Sequence, residues 1–226
     1  MSVLAVLDPV VRLAHDAVAA LATVVPTALA IVLFTVAVRL ALHPLARSAA
    51  RGEKARARLA PRIEELRRTH KGRPEKLNPA LAELYRTEQS SPFSGLLATF
   101  AQIPFFSVMY RLFTTPNDLL GHRLAGVPLG LHVTEAHSAA QLAVFGVLYA
   151  ALAAVGYVNF RRAARTPLPA APGAAVLRYL AFGTVVFAAF VPLAAGLYLL
   201  TTSVWTSAER ALLHREPALQ PSPALA

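Results

Sequence analysis

The sequence contains no cysteine. This absence excludes disulfide bonds, a thiol nucleophile, cysteine-bound zinc and a lipid-modified N-terminal cysteine. The N-terminus also lacks the basic start and the small-residue cleavage site that mark a removable signal peptide. Its first cation, Arg12, is flanked by Asp8 and Asp16. We therefore expect the chain to be unprocessed, with its first membrane span acting as the targeting signal.

Familiar signatures of enzymes are missing as well. The sequence has no GxxxxGKS or GxxxxGKT phosphate loop, no HExxH zinc motif and no GxSxG nucleophile elbow. His132 and His137 lie five residues apart in a predicted loop, and we interpret them as ordinary loop histidines rather than metal ligands. These observations argue against covalent chemistry and direct use of ATP. We expect no enzymatic activity, no cofactor and no bound metal.

What the sequence has in abundance is apolar residues. They make up 56% of the 226 residues, and the mean hydropathy is +0.50. The net charge is nevertheless +10. Nucleic acid could attract such a charge, but the basic residues cluster between the apolar runs, as they do in membrane proteins with basic cytoplasmic loops. The composition therefore predicts a polytopic membrane protein that does not bind DNA.

The apolar runs predict five membrane spans. They are 26–46, 92–113, 140–158, 176–191 and 196–213, with Pro192 and Gly196 permitting a tight turn between the last two. The segment 1–25 is predicted as an extracytoplasmic or interfacial helix, although it could equally be the outer start of the first span. The other connections are a cytoplasmic hairpin, 47–91, an outer loop, 114–139, a cytoplasmic loop, 159–175, and a disordered tail, 214–226. The fold class is thus an all-α integral membrane protein with its N-terminus outside and its C-terminus in the cytoplasm.

The segment between the first two spans is strongly basic. Residues 47–88 hold twelve Lys or Arg against six Glu, which is a net charge of +6 and places this segment in the cytoplasm. Apolar residues recur at helical spacing in two stripes, Leu59, Ile63 and Leu66, and then Leu77, Leu81 and Leu84. Gly72 and Pro74 lie between the stripes as stop and start signals. We predict an antiparallel helical hairpin rather than a solvated run of charge.

The first span contains a charge that requires an explanation. Thr27, Thr35, Arg39 and His43 are separated by multiples of four residues, so they follow one stripe of a helix. An arginine at the centre of a span costs about 2.5–3.5 kcal/mol on insertion scales. The predicted spans contain no acid except Glu209, at the inner end of span five, so a permanent ion pair is not expected. Three explanations remain open: water solvates the charge, an acidic group of a substrate pairs with it, or the side chain snorkels towards the inner interface.

Polar side chains on the other spans favour a shared cavity. Span five carries Tyr198, Thr202, Trp205 and Glu209 at helical spacing, and Gln102 and Gln141 contribute amides from spans two and three. A hydrophilic cavity between several helices accounts for these positions better than a single snorkelling arginine does. The candidate site residues are Arg39, Thr35, Gln102, Gln141, Tyr198 and Thr202.

The chain resembles the YidC/Oxa1/Alb3 family of membrane protein insertases along nearly its whole length. The resemblance is carried by FTVAVRLALHPL in the first span, by LAPRIEELR and LAELYRTE in the hairpin, and by SPFSGLLATFAQIPFFSVMYRLF and FVPLAAGLYLLTTSVWTSAERALL in the later spans. It implies five helices around a hydrophilic groove that opens to the cytoplasm and to lipid and is closed towards the outside. Arg39 occupies the position of the groove arginine, and Thr35 that of a substrate-facing threonine.

The same resemblance implies a function and a location. The protein would accept hydrophobic nascent chains in the groove and release them laterally into the bilayer without nucleotide hydrolysis, in a bacterial cytoplasmic membrane. Its partners would be nascent membrane proteins and the lipid bilayer, with the ribosome and the Sec translocon as further candidates. Leu199 replaces an aromatic residue common in the family, and the short tail favours the minimal five-span form. The alternative function is an ion-conducting or transport subunit that uses the intramembrane arginine.

Overall fold

The structure, a computed structural model, describes residues 7–88, 97–164 and 179–213. Predictions for 1–6, 89–96, 165–178 and the tail 214–226 lie outside these residues. The described part is helical as predicted, apart from a ribbon of two short strands. Its helices are α1, Asp8–Ala22; α2, Thr27–Thr69; α3, Pro74–Thr87; α4, Leu97–Thr114; α5, Ala139–Ala164; α6, Gly183–Ala188; and α7, Leu193–Leu213. The strands are β1, Arg123–Leu124, and β2, Val127–Pro128.

The first predicted span and the first helix of the hairpin form one continuous helix. The sequence predicts an end or bend near Pro44, but α2 runs through Pro44 and Pro61 to Thr69. An internal proline removes a backbone hydrogen bond and costs about 3 kcal/mol. The residues around both prolines are mainly Ala, Arg, Leu and Glu, which are strong helix formers. The helix therefore continues where the proline signal alone predicts a boundary.

The described residues divide into two units, and the smaller one, Ala41–Phe105, contains the helical hairpin. Helix α2 ends at Thr69, Gly72 has a φ of 76°, and α3 begins at Pro74. Glu88 follows α3 and accepts hydrogen bonds from Arg58 at 3.1 Å and Arg62 at 2.8 Å. These contacts return the end of α3 to the middle of α2, so the two helices run antiparallel.

The larger unit, Met1–Leu40 with Phe106–Ala226, has a core in which α5 packs against α6 and α7. Gly196 is part of this packing and not of a turn, which corrects the sequence interpretation. The turn lies earlier, at 189–192, and α7 begins at Leu193. A Cβ atom on Gly196 would lie 2.6 Å from Cδ2 of Leu148 on α5. The glycine thus allows the backbone of α7 to approach α5 closely.

The outer loop between α4 and α5 is folded. Its two strands pair as an antiparallel ribbon through Ala125 and Gly126, whose φ angles are 50° and 83°. Positive φ at both central residues is typical of the tight turns that suit a two-residue hairpin. Leu119, Val127 and Leu129 are buried, so the loop has an apolar core.

Two helices in the described part are long and apolar enough to cross a bilayer. They are the segment Thr27–Gly52 and helix α5, and Tyr179–Ala188 is a shorter apolar helix. Helix α7 carries polar residues along one side and falls outside this group. That the chain crosses the membrane five times therefore stays a prediction.

Candidate functional site

One face of α2 is buried along the N-terminal part of the helix. Thr27, Ile31, Thr35 and Arg39, spaced by four residues, are all buried. Leu33 and Leu40, on other faces, are exposed. The stripe predicted from the sequence is therefore the face that α2 turns into the protein.

Arg39 lies at the inner end of this buried stripe. Only 8% of the residue is exposed. A side chain that snorkels towards an interface would keep its guanidinium in solvent, so burial favours the interpretation that Arg39 faces protein. Thr35, one turn earlier, donates its hydroxyl hydrogen to the carbonyl of Ile31 at 2.7 Å. Its oxygen can still accept a hydrogen bond from another group.

Helix α7 presents two opposite faces. With 100° between successive residues, Tyr198, Thr202, Trp205 and Glu209 fall within one narrow arc, and Ser207 falls opposite them. The face of Ser207 packs against α5, because Arg162 of α5 donates hydrogen bonds to the carbonyl and hydroxyl oxygens of Ser207 at 2.6 and 2.9 Å. The polar stripe of α7 is therefore turned away from α5.

The polar stripe of α7 and the buried arginine of α2 belong to one electrostatic cluster. Both Tyr198 and Glu209 interact electrostatically with Arg39. Tyr198 is buried, and its ring centroid lies 6.1 Å from that of Phe113 on α4. Glu209 thus contributes negative charge to the surroundings of Arg39, and the expectation that the arginine forms no permanent ion pair stays a prediction.

Gln141, one of the predicted site residues, is not part of this cluster. Gln141 lies in the first turn of α5, where its Oε1 accepts hydrogen bonds from the backbone N–H groups of His137 at 2.9 Å and Ser138 at 3.1 Å. The hydroxyl of Ser138 in turn accepts a hydrogen bond from the N–H of Gln141 at 3.2 Å. This reciprocal arrangement is a capping box and accounts for the amide of Gln141. Gln102 lies on α4, and its side chain is outside the described part of the structure.

The outer loop covers the beginning of α7. The N–H groups of Leu193 and Ala194, which have no partner within the helix, donate to the carbonyls of Leu131 at 3.0 Å and Leu129 at 2.8 Å. Thr27, at the start of α2, is hydrogen-bonded to His122 of the same loop. The N-terminal ends of both helices of the electrostatic cluster are thus bound to one folded loop.

Helix α1 is bound to the outer loop by a charged contact. Nε2 of His15 lies 2.7 Å from a carboxylate oxygen of Asp118, and Nδ1 lies 3.2 Å from Asp16. The hydrogen bond to Asp118, followed by that to Asp16, raises the pKa of His15 above its ordinary value of 6.5. The same bond lowers the pKa of Asp118. Asp8 of α1 also forms an ion pair with Arg111 of α4 at 2.6 Å.

Three aromatic rings form an exposed cluster on α4 and α6. The ring of Phe187 lies 6.0 Å from that of Phe106 and 6.4 Å from that of Tyr110, between centroids. All three residues are exposed. Exposed aromatic groups on a membrane protein favour contact with lipid or with an apolar partner.

Sequence reasoning missed the side chains that join the helices. Arg162 is predicted only as part of a basic cluster, and the contacts of Asp8, His15 and His122 are not predicted. A charged residue next to a span carries no sequence signal that distinguishes a helix contact from a solvated charge. In the described ranges, no group of three or more His, Asp or Glu comes together as a metal site.

Comparisons with known proteins place the chain in a family. The model of the 60Kd inner membrane protein family matches residues 20–219. A relative in Burkholderia vietnamiensis, called membrane protein insertase YidC, is 29% identical over 188 residues, which are 83% of this chain and 32% of that protein.

Two further relatives of the same name match shorter segments. The one in Magnetococcus marinus is 39% identical over 83 residues, 37% of this chain and 15% of the relative. The one in Burkholderia cenocepacia is 36% identical over 92 residues, 41% of this chain and 17% of the relative. The matches thus span less than a third of the length of these relatives. The family match, by contrast, covers most of this chain, which therefore belongs to the 60Kd inner membrane protein family, the YidC/Oxa1/Alb3 family.

Proposed function

We propose that this protein is a membrane protein insertase of the bacterial cytoplasmic membrane. It accepts hydrophobic nascent chains in a hydrophilic groove open to the cytoplasm and releases them laterally into the bilayer without nucleotide hydrolysis. The observation that carries the proposal is the buried Arg39 on α2 in electrostatic contact with the polar stripe of α7. The relatives called membrane protein insertase add support.

The chemistry of the cluster suits a polar segment that must enter the bilayer. The attraction between two charges grows as the effective dielectric constant falls, so a buried guanidinium attracts an acidic substrate tail more strongly than an arginine in water does. Hydroxyl groups of Thr35, Tyr198 and Thr202 can exchange hydrogen bonds with a passing backbone. Transfer of the apolar span of the substrate into lipid supplies the free energy, so no nucleotide is required.

Two further features support a groove that is closed towards the outside and lets a substrate span leave into lipid. The outer loop binds the outer ends of α2 and α7, which supports a groove closed towards the outside. The exposed cluster of Phe106, Tyr110 and Phe187 offers an apolar surface between α4 and α6 along which a substrate span can leave. The proposed topology is five spans with the N-terminus outside and the C-terminus in the cytoplasm. The ribosome and the Sec translocon are proposed partners.

Photocrosslinking tests where the substrate passes. A photoreactive amino acid is placed at Thr35 or, as a matched control, at Leu33 on the same helix, and a stalled nascent chain with one apolar span is presented to proteoliposomes. We expect substrate crosslinks from Thr35 and few from the exposed Leu33. Equal crosslinking from both positions would contradict the groove.

Substitution of Arg39 tests the electrostatic step. Arg39→Ala and Arg39→Glu should reduce the insertion of single-span substrates with acidic outer tails by about tenfold, which corresponds to about 1.4 kcal/mol. Arg39→Lys should retain most of the activity because it keeps the charge. Unfolding temperatures of the purified variants control for misfolding. An ion flux through proteoliposomes that depends on Arg39, with insertion unaffected, would instead favour a transport subunit.

A further inference from the structure

Glu209 is the only acidic residue in α7. It lies on the same narrow face as Tyr198, Thr202 and Trp205, and it is partly buried. This face is opposite the one by which Arg162 and Ser207 join α7 to α5. Glu209 is therefore not turned towards the arginine of α5 but towards the side that carries the buried cluster.

The depth of Glu209 also suits a contact with Arg39. Helices α2 and α7 both begin at the outer loop, through Thr27 and Leu193. At about 1.5 Å per residue, Arg39 lies about 18 Å and Glu209 about 24 Å from these starting points. Side chains lean towards the N-terminus in both helices, so the difference in depth of about 6 Å remains, which is within the range of an interaction between opposite charges. The electrostatic interaction between the two residues agrees with this geometry.

We propose that Glu209 is a built-in counter-charge that determines which substrate tails the arginine accepts. Because Glu209 reduces the positive potential around Arg39, the preference for an acidic tail over a neutral one is smaller than the arginine alone would give. The inference rests on the proposed insertase function and adds a residue that sets its charge specificity. Glu209 acts through Arg39 and is a positioning and tuning residue rather than a group that carries the substrate.

The test compares two substrates that share one apolar span and differ only in the outer tail, one with three Asp residues and one with none. Insertion of each is measured in proteoliposomes, and the result is the ratio of acidic to neutral insertion. Glu209→Gln should raise this ratio by about twofold to tenfold, because one nearby negative charge is removed. Glu209→Asp should retain the ratio of the unaltered protein.

Two controls separate this effect from a general change of charge. Glu83→Gln removes the same charge from α3, where Glu83 pairs with Arg86 of its own helix, and should leave the ratio unchanged. In an Arg39→Gln background, Glu209→Gln should alter the ratio less, because no arginine then holds the acidic tail close to Glu209. Thr202→Asp adds a carboxylate to the same face of α7 and should lower the ratio, which provides a second measurement should Glu209→Gln fold poorly.

The outcomes distinguish the two proposals. If liposomes with the unaltered protein insert no more of either substrate than empty liposomes do, the proposed insertase function is wrong. The role given to Glu209 is then wrong as well. If both substrates insert but Glu209→Gln and Thr202→Asp leave the ratio unchanged, only the role of Glu209 is wrong. An equal effect of Glu209→Gln with and without Arg39 would also overturn it.

Discussion

A single guanidinium nitrogen of Arg162 on α5 donates to both the carbonyl and the hydroxyl oxygen of Ser207 on α7, at 2.6 and 2.9 Å. Ser207 is buried and lies on the face of α7 opposite the stripe that interacts with Arg39. This contact therefore contributes, with the packing of Gly196 against Leu148, to the rotation of α7. It holds the helix so that its polar residues face the candidate site.

Loss of this contact should destabilise the protein. Hydrogen bonds to charged groups contribute about 1.5–3 kcal/mol, so Arg162→Gln should lower the free energy of unfolding by an amount of this order. The neighbouring Arg161 is a matched control because it is exposed and hydrogen-bonded to Tyr157 on its own helix. Thermal unfolding in detergent measures both variants. Equal losses from Arg161→Gln and Arg162→Gln would contradict the proposed role of the contact.

Substitution by alanine should affect stability very differently at the two glycines of α5. A Cβ atom on Gly156 would lie 3.0 Å from the carbonyl oxygen of Ala181 and 3.1 Å from the ring of Phe182, whereas one on Gly146 would meet no atom within 4 Å. Gly156→Ala should therefore lower the free energy of unfolding by about 1–3 kcal/mol, because it overpacks this contact. Gly146→Ala should be neutral or stabilising, because alanine has the higher helix propensity. A loss of stability from Gly146→Ala, with none from Gly156→Ala, would contradict the packing of α5 against this segment.

A substitution at Ala125 should stabilise the two-stranded ribbon of the outer loop. This residue has a φ of 50°, a conformation that costs an alanine about 1–2 kcal/mol and that asparagine adopts more readily. Ala125→Asn should raise the unfolding temperature by creating an Asn-Gly turn. Gly126→Ala, at a φ of 83°, should lower it. A lower unfolding temperature from Ala125→Asn together with a higher one from Gly126→Ala would show that the turn does not have this geometry.

The contact of His15 with Asp118 should depend on pH. Because the pKa of His15 is raised in the folded protein, the stabilisation is complete below the ordinary pKa of 6.5 and is lost as the pH rises through the raised value. The pKa of Asp118 is lowered, so its contribution is present above its ordinary pKa of 3.8 and is lost as the pH falls through the lowered value. The contact therefore stabilises the fold most in the weakly acidic range between them.

Unfolding temperatures of the unaltered protein and of His15→Gln, measured from about pH 5 to about pH 9, check this dependence. The difference between the two should be largest at the acidic end and should shrink as the pH rises. Asp118→Asn should produce the same change, and the double variant should add little to either single one. A constant difference across the range would mean that the ionisation of His15 does not contribute.

Much of the architecture could be predicted because it depends on local patterns. The four-residue spacing from Thr27 to Arg39 predicts the buried face of α2, and the signals at Gly72 and Pro74 predict the turn of the hairpin. Such features depend on helical periodicity and backbone preferences, which neighbouring residues determine. The continuation of α2 through Pro44 was not predicted, because the helix formers on both sides outweigh the local proline signal.

The sequence by itself determined the helical class, the family resemblance and the stripe that contains Arg39. Only the tertiary structure decided what these residues meet. It placed Glu209 in the electrostatic field of Arg39, assigned Gln141 to a helix cap and Gly196 to close packing with Leu148, and joined Arg162 to Ser207. The physical reason is that periodicity specifies which face of a helix a residue occupies, whereas the rotation and depth of one helix against another depend on packing between distant segments.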